Sequence, residues 1–171
     1  MSDANKIYLR TLKSVDVDFM LQMENDTSIW HVSQTEEPYT FADIESFIHN
    51  SKHDLFEEFQ IRYVIVLKEN DEQIGSVDLF NYDLENKSAG VGITILKDYR
   101  NKSYGAGALK VLIDLAFSKL ELQELYCNIF ADNEASIRLF ESLDFKRIKF
   151  LKENTIFKGK AYDEYYYQLV K

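Results

Sequence analysis

Two periods of apolar residues alternate along the chain and divide it into strands and helices. Runs that are short and apolar or alternate with polar residues predict β-strands at residues 6–12, 62–67, 74–82, 89–96 and 125–130. Apolar residues spaced three or four apart predict helices at residues 17–25, 41–50, 105–120 and from Asp132 or Asn133 to Leu143. The last two alternating runs, 145–153 and 161–170, flank Gly159 and predict a hairpin.

The order of these elements predicts an α/β fold. We expect one domain over residues 1–171, with a mixed, mostly antiparallel central sheet flanked by about four helices. Ser14 or Asp16 is the expected N-cap of the first helix, because both side chains accept hydrogen bonds from free N–H groups. No linker, repeat or low-complexity tract interrupts the pattern.

The composition fits a folded enzyme-sized domain. Hydrophobic residues make up 46% of the 171 positions, which is enough for a core, and no apolar run approaches the length of a membrane span. The one cysteine, Cys127, lies in an apolar strand, where core packing is its expected role. The chain is therefore expected to work in the cytoplasm, without a membrane partner.

The net charge and the histidine spacing argue against nucleic-acid and metal partners. A net charge of −9 argues against nucleic acid, whose phosphates require clustered Lys and Arg, and suits a cationic substrate or solubility. His31, His49 and His53 have no metal-ligand spacing, so no metal site is expected. His49 and His53 are four residues apart, which predicts a pair on the exposed side of one helix.

The segment Arg100–Gly107 joins a predicted strand to a predicted helix and suits a phosphate group. Small residues let the backbone approach a ligand, and the first turn of a helix has free N–H groups. Residues 97–110 contain four basic residues and one acidic residue, a local charge of +3 in an acidic chain. The alternative is a tight turn with solvated Lys and Arg side chains.

Three segments together resemble the GCN5-related N-acetyltransferase (GNAT) superfamily. Residues 99–109 resemble its acetyl-CoA loop, and residues 130–145, FADNEASIRLFESLDF, resemble its Asn-Glu-x-(Ala/Ser)-Ile…Leu-Tyr-x-x-Leu-Gly-Phe segment. Residues 157–163 are similar to the closing hairpin of the branches that acetylate ribosomal proteins and polyamines. The resemblance covers nearly the whole chain and implies direct attack by an amine on the thioester of acetyl-CoA.

The resemblance also implies which residues hold the cofactor. Backbone N–H groups of residues 103–106 would bind the pyrophosphate with help from Arg100, and residues 93–95 would run beside the pantetheine arm. The implied cofactor-binding residues are Ile93, Thr94, Ile95, Arg100, Asn101, Lys102, Ser103, Tyr104, Gly105, Ala106 and Asn133. Asn133 is also an ordinary helix cap by type, and the two roles are compatible.

Three positions depart from the family pattern. Ser103 replaces a usual Gly, which restricts the backbone but adds a hydroxyl donor. Phe140 stands where many relatives carry a Tyr acid, and Gly90 stands where the ribosomal and polyamine branches often carry Glu. The usual acid and base are therefore both missing from these positions.

Asp78 is the best remaining candidate for the catalytic base. It alternates with Val77 and Leu79 on a strand, so its side chain faces the opposite way, toward the cleft or toward solvent. Ser136 and the tyrosines at 165–167 are weaker candidates for a proton donor.

The sequence leaves two classes of acceptor amine. Glu36 and Glu37, just before Pro38, resemble the acidic loop of spermidine N-acetyltransferases and are expected to bind a protonated amine tail, unless they form a solvated acidic loop. They favour a polyamine such as spermidine, whereas the weak base favours a peptide N-terminal α-amine. A non-catalytic CoA-binding module is a further alternative, and aromatic residues near the C-terminus leave a homo-oligomer possible.

Overall fold

The computed structural model describes residues 6–171, whose centre is one seven-stranded sheet. The strands are β1 (Ile7–Thr11), β2 (Ile61–Leu67), β3 (Gln73–Asp83), β4 (Ser88–Ile95), β5 (Glu124–Phe130), β6 (Lys146–Phe157) and β7 (Lys160–Val170). They lie in the order β1-β2-β3-β4-β5-β7-β6, and only the β4–β5 pair is parallel. The predicted mixed, mostly antiparallel sheet is thereby confirmed.

Six α-helical segments accompany the sheet within residues 6–171. They are α1 (Val17–Glu24), α2 (Trp30–Ser33), α3 (Phe41–Asn50), α4 (Leu55–Glu58), α5 (Tyr104–Asp114) and α6 (Glu134–Glu141), and a wide turn, Leu115–Lys119, extends α5. Four of them match the predicted helices. The prediction missed α2 and α4, because a four-residue helix is too short to show a helical repeat.

Alternate residues of each strand face different helices. On β2, Ile65 belongs to the larger core, which contains α5 and α6, whereas Val64 and Val66 belong to a smaller core with α1 and α3. The sheet therefore has an α5/α6 face and an α1/α3 face. This strict alternation is what lets one strand place neighbouring side chains in different chemical surroundings.

The starts of α3 and α1 differ: one has a side-chain cap and the other does not. Thr40 accepts a hydrogen bond from the N–H of Asp43, whose carboxylate accepts one from the N–H of Thr40, so α3 begins with a capping box. Asp16 instead lies buried and accepts two hydrogen bonds of 2.7 Å from Arg10, and makes no side-chain cap to α1. Burial opposes its ionisation, but the bonds from Arg10 and Lys13 N–H lower its pKa.

The prediction for the histidine pair was wrong. His49 is on α3, but that helix ends at Asn50 because Ser51 is extended. His53 follows in a loop with a φ of +54°, and its N–H donates to Glu58. Cys127 is buried as predicted, and burial raises the pKa of its thiol to about 12.

Over residues 6–171, no helix is long and apolar enough to cross a membrane. The same residues include no cluster of three or more His, Cys, Asp or Glu side chains arranged to hold a metal ion.

Candidate active site

The two parallel strands at the middle of the sheet separate soon after they pair. Only three residues of each strand are in register, and the last pair is Gly90 with Tyr126. Beyond that pair, β4 continues to Ile95 and β5 to Phe130, with β4 bonded to β3 alone. We call the gap between residues 91–95 and 127–130 the β4–β5 cleft. Its β4 side has backbone N–H and C=O groups without a strand partner, which a ligand can satisfy.

The predicted residues Ile93, Thr94 and Ile95 all lie on this unpaired side of β4 and are half-buried. An extended ligand beside them would gain the hydrogen bonds that a neighbouring strand normally provides. The geometry therefore fits the expected place of the pantetheine arm.

The loop after β4 ends in an uncapped helix. Ser103, the N-cap of α5, has a left-handed φ of +62° and makes no side-chain cap. The first N–H that bonds back along the helix is that of Gly107, which donates to the carbonyl of Ser103 at 3.1 Å. The N–H groups of residues 104–106 therefore have no helical acceptor, and the positive end of the helix dipole lies at the same place. This geometry suits an anion, and the anion site stays a prediction.

The basic residues of the loop divide into two roles. Arg100 donates from Nε to the carbonyl of Ile95 at 2.8 Å and from one terminal nitrogen to Asp26 at 3.2 Å, which ties the loop to the end of β4. Lys102 is exposed, with Nζ 5.5 Å from the ring of Tyr99. Arg100 keeps three of its five N–H donors, so both residues remain able to contact a phosphate.

Asn133 caps α6, as predicted. Its Oδ1 accepts a hydrogen bond of 3.1 Å from the N–H of Ser136. Among the described residues, its side-chain amide N–H group has no acceptor, so Asn133 can cap the helix and donate to a ligand at once. Asn101, exposed with a φ of +59°, makes the sharp turn before Ser103.

A segment on the α1/α3 face connects the two sides of the cleft. On the β4 side, Asp26 pairs with Arg100, and on the β5 side the ring of His31 stacks on Phe130 at 5.9 Å. Trp30, between them, donates from its indole to the carbonyl of Glu24 at 2.9 Å. The segment 26–31 therefore bounds the open end of the cleft. The sequence analysis missed this feature because the contacts with Arg100 and Phe130 join residues far apart in the chain.

The α5/α6 face of the cleft is closed by the core. Val91 and Cys127 point to that side and are buried with Leu109, Leu112 and Phe140. Only the α1/α3 face leaves room for an acceptor to approach the strands. Phe140 packs edge-to-face on Phe145 at 5.0 Å, so this position contributes to the core and no proton donor lies there.

Gly90 is explained by a residue that the sequence analysis missed. A Cβ added to Gly90 would lie 2.4 Å from the ring of Phe80, its partner on β3. The ring of Phe80 thus occupies the space that a side chain at position 90 would need. Only the strand register reveals this relation, because the two residues are ten positions apart in the sequence.

Asp78 is held in an ion-pair network. It accepts hydrogen bonds of 2.6 and 3.1 Å from Arg62, which also pairs with Glu24. All three side chains are less than a quarter exposed, and the ring of Phe47 lies 6.0 Å from the guanidinium. Burial opposes the charge of Arg62, but the two carboxylates raise its pKa. The network carries a formal net charge of −1, and both oxygens of Asp78 accept hydrogen bonds from Arg62.

Glu36 and Glu37 lie in the segment between α2 and α3 and are exposed. Within the described part of the chain, neither has a hydrogen-bond or ion-pair partner. A two-way hydrogen bond between the Asn25 side chain and the Tyr39 backbone, 2.9 Å each way, anchors that segment. Two unpaired carboxylates on an anchored segment are available to a cation.

The candidate donors differ in availability. Tyr167 is buried, donates to Glu141 at 2.8 Å and accepts from Arg147 at 3.0 Å, so its hydroxyl is committed on the α5/α6 face. Tyr166 is on the other face and donates to Glu124 at 3.3 Å.

The sequence profile of the acetyltransferase (GNAT) domain matches residues 6–146. The chain belongs to this family. The expectation of an acetyl-CoA-dependent N-acetyltransferase is confirmed with it, and the splayed strands and uncapped α5 of this GNAT enzyme are the parts that fit acetyl-CoA.

Individual relatives are distant but cover the chain well. The uncharacterised N-acetyltransferase p20 of Bacillus licheniformis is 28% identical over 167 residues, 97% of this chain and 93% of the relative. The spermidine N(1)-acetyltransferase of Escherichia coli (strain K12) is 28% identical over 146 residues, 85% of this chain and 75% of the relative.

A solved structure shares the fold. The spermidine N-acetyltransferase of Vibrio cholerae, in complex with CoA and spermine, matches this GNAT enzyme with a TM-score of 0.86 over 97% of this chain and 96% of that one. Sequence identity is 23%, so this likeness supports the fold alone.

Proposed function

We propose that this enzyme acetylates a primary amine of a polyamine such as spermidine. The observation that carries the proposal is the Glu24–Arg62–Asp78 network, which has a formal net charge of −1 and places Asp78 beside Gly92 on β4. Glu36 and Glu37, exposed and unpaired among the described residues, on the segment anchored to Asn25, add two further carboxylates. A polyamine is a flexible chain of positive charges, which such surroundings attract. The spermidine N-acetyltransferases among the relatives support the same class of acceptor.

For the cofactor, we propose contacts with the free N–H groups of residues 104–106, the remaining donors of Arg100, Lys102, and the amide of Asn133. The backbone of residues 93–95 would hold the extended arm. Acetyl-CoA supplies an acetyl thioester. The thiol formed from it has a pKa of ~8.5, so its thiolate can leave without help from a strong acid. The absence of a phenol at position 140 is therefore tolerable.

For catalysis, we propose Asp78 as the proton acceptor. Its Oδ2 lies 3.5 Å from the point that a Cβ on Gly92 would occupy, so its carboxylate is beside the β4 edge of the cleft. Two hydrogen bonds from Arg62 hold the carboxylate in place. Both of its oxygens already accept hydrogen bonds from Arg62, so we propose it only as a modest base.

A modest base favours a second candidate, the N-terminal α-amine of a peptide. To deprotonate a Lys-like amine of pKa ~10.4 at pH 7 costs about 4.6 kcal/mol, whereas an α-amine of pKa ~7.7 costs only about 1 kcal/mol. The observation that favours this candidate is the pairing of both Asp78 oxygens with Arg62.

The test is a substrate panel with acetyl-CoA, in which release of the CoA thiol is followed colorimetrically. We expect turnover of spermidine and spermine above that of peptides with free N-termini. Turnover of peptides with none of spermidine would replace the polyamine by the α-amine. If acetyl-CoA raises the melting temperature while no amine is acetylated, the protein is a binding module. Cys127 is buried, so it adds little thiol background.

We also propose a cytoplasmic location and self-association. Ile148 and Phe150 on β6 are at least half exposed, and β6 is an edge strand of the sheet. Exposed apolar side chains on a sheet edge favour contact with another chain. Sedimentation velocity checks this, and a monomer at micromolar concentration would reject it.

A further inference from the structure

Three aromatic side chains lie on the α1/α3 face where β4 and β5 separate. Tyr126 pairs with Gly90 at the last register position and stacks on Tyr166 at 5.8 Å, with ring planes 27° apart. Phe80 meets Tyr126 edge-on at 6.5 Å. All three are half-buried, so part of each ring is open to the surroundings. We call these residues the aromatic platform.

The platform lies where an acceptor must pass. The α5/α6 face is closed by buried residues such as Val91 and Cys127. On the open face, β4 has no side chain at Gly90 or Gly92, and Phe80 covers both, with ring atoms 2.4 and 3.6 Å from their added Cβ positions. The acceptor therefore meets these rings before it meets the backbone of β4.

Carboxylates flank the platform at two sides. Glu124 accepts a hydrogen bond from Tyr166 at 3.3 Å, and Asp78 lies beside Gly92. Burial raises the pKa of Tyr126, and burial together with Glu124 raises that of Tyr166, so both phenols stay neutral near pH 7. Neutral rings between two carboxylates attract ammonium groups through their faces and through the flanking charges.

We infer that Phe80, Tyr126 and Tyr166 determine acceptor specificity, by binding the second ammonium of a linear di- or polyamine. The reacting nitrogen then lies on the Asp78 side and the distal nitrogen on the Glu124 side. This inference rests on the proposed polyamine function. It explains why Phe80 displaces any side chain at position 90, since a ring replaces a carboxylate at the point of approach.

The test compares two acceptors of equal chain length, 1,5-diaminopentane and pentylamine, in the full-length enzyme. The parent should prefer the diamine. Tyr166→Leu and Phe80→Leu should each reduce kcat/KM for the diamine by about five- to tenfold, while pentylamine changes by less than about twofold. The KM for acetyl-CoA should not change. Tyr166→Phe keeps the ring and should retain most of the preference.

Phe56→Leu is the matched control, because Phe56 is an exposed aromatic on α4 that packs on Tyr82, apart from the platform. Circular dichroism melts verify that each variant is folded. Because the two variants are at different positions, the test can still be made if one of them fails to fold. A diamine preference that survives both substitutions, or an equal loss for both acceptors, overturns the inference alone. A parent that acetylates neither diamines nor spermidine overturns the proposed function instead.

Discussion

The cofactor side and the acceptor side of the β4–β5 cleft are built in different ways. On the cofactor side, the functional groups are backbone N–H groups at the start of α5 and the unpaired edge of β4. On the acceptor side, they are side chains from distant positions, such as Arg62 with Asp78, 16 residues away, and Glu24, 38 residues away.

This difference determines at which positions the side chain can be substituted without loss of the functional groups. Backbone groups do not depend on the identity of the side chain: with Ser at position 103, the N–H groups of residues 104–106 still have no helical acceptor. A side-chain network depends on its common partner, because loss of Arg62 leaves the carboxylates of Glu24 and Asp78 without a cation. Substitutions on the two sides should therefore have different effects.

Arg62→Ala should have the largest effect. It leaves Glu24 and Asp78 close together without their common cation, which should lower the free energy of unfolding by about 3 kcal/mol. Urea denaturation measures it. Lys52→Ala is the control, since the Lys52–Glu57 pair is more than half exposed and should contribute less than ~1 kcal/mol. An equal decrease in the free energy of unfolding in the two variants would show that the network does not stabilise the fold more than an exposed ion pair does.

Asp78→Asn should separate chemistry from cofactor binding. We expect kcat/KM for the acceptor to fall by about 10²-fold, because we propose the carboxylate as the proton acceptor. Calorimetric titration should show unchanged affinity for acetyl-CoA, since the cofactor side is independent. Asp83→Asn, on the same strand but bonded to its own turn, is the control. An unchanged rate in Asp78→Asn would remove the base assignment.

The same comparison explains which parts could be predicted from sequence. The proposed cofactor side is local: strand, small-residue loop and helix are consecutive, so the sequence alone was enough to propose residues 93–106. The pairing of Asp78 with Arg62 requires the β2–β3 register, and the position of Phe80 over Gly90 requires the β3–β4 register. Hydrophobic periods predict the strands but not their registers to the residue.

His53 shows a limit of a different kind. A spacing of four residues predicts a shared helix face only if the helix continues, and α3 stops three residues before His53. The backbone of Ser51 turns extended there, and its N–H donates to the carbonyl of Phe47 at 3.1 Å. Periodicity in a short helix therefore locates its middle better than its end.

Alkaline pH should test the closed face of the cleft. The folded pKa of Cys127 is raised to about 12, above the ~8.5 of an unfolded thiol, so its contribution to stability is complete below pH ~8.5 and is lost as pH rises toward 12. At pH 10 the loss should be about 2 kcal/mol.

Comparison with Cys127→Ala separates the pH-dependent contribution of the Cys127 thiol from that of the tyrosines, which also titrate at high pH. Between pH 7.5 and pH 10, the free energy of unfolding of the parent should fall by about 2 kcal/mol more than that of the variant, as measured by urea denaturation. A constant gap would mean that solvent reaches the thiol, and that the α5/α6 face is open rather than closed.

Ser103→Gly should have the smallest effect and should confirm that the cofactor side depends on backbone. Ser103 has a φ of +62°, a conformation that costs an L-residue about 1 kcal/mol and glycine little. The variant should gain about 0.5–1 kcal/mol in thermal unfolding and bind acetyl-CoA within about twofold of the parent, because the N–H groups of residues 104–106 remain. Asn101→Gly, with a φ of +59°, is the control and should gain less, since Asn tolerates this conformation. A large loss of acetyl-CoA affinity in Ser103→Gly would instead identify the hydroxyl of Ser103 as a necessary donor.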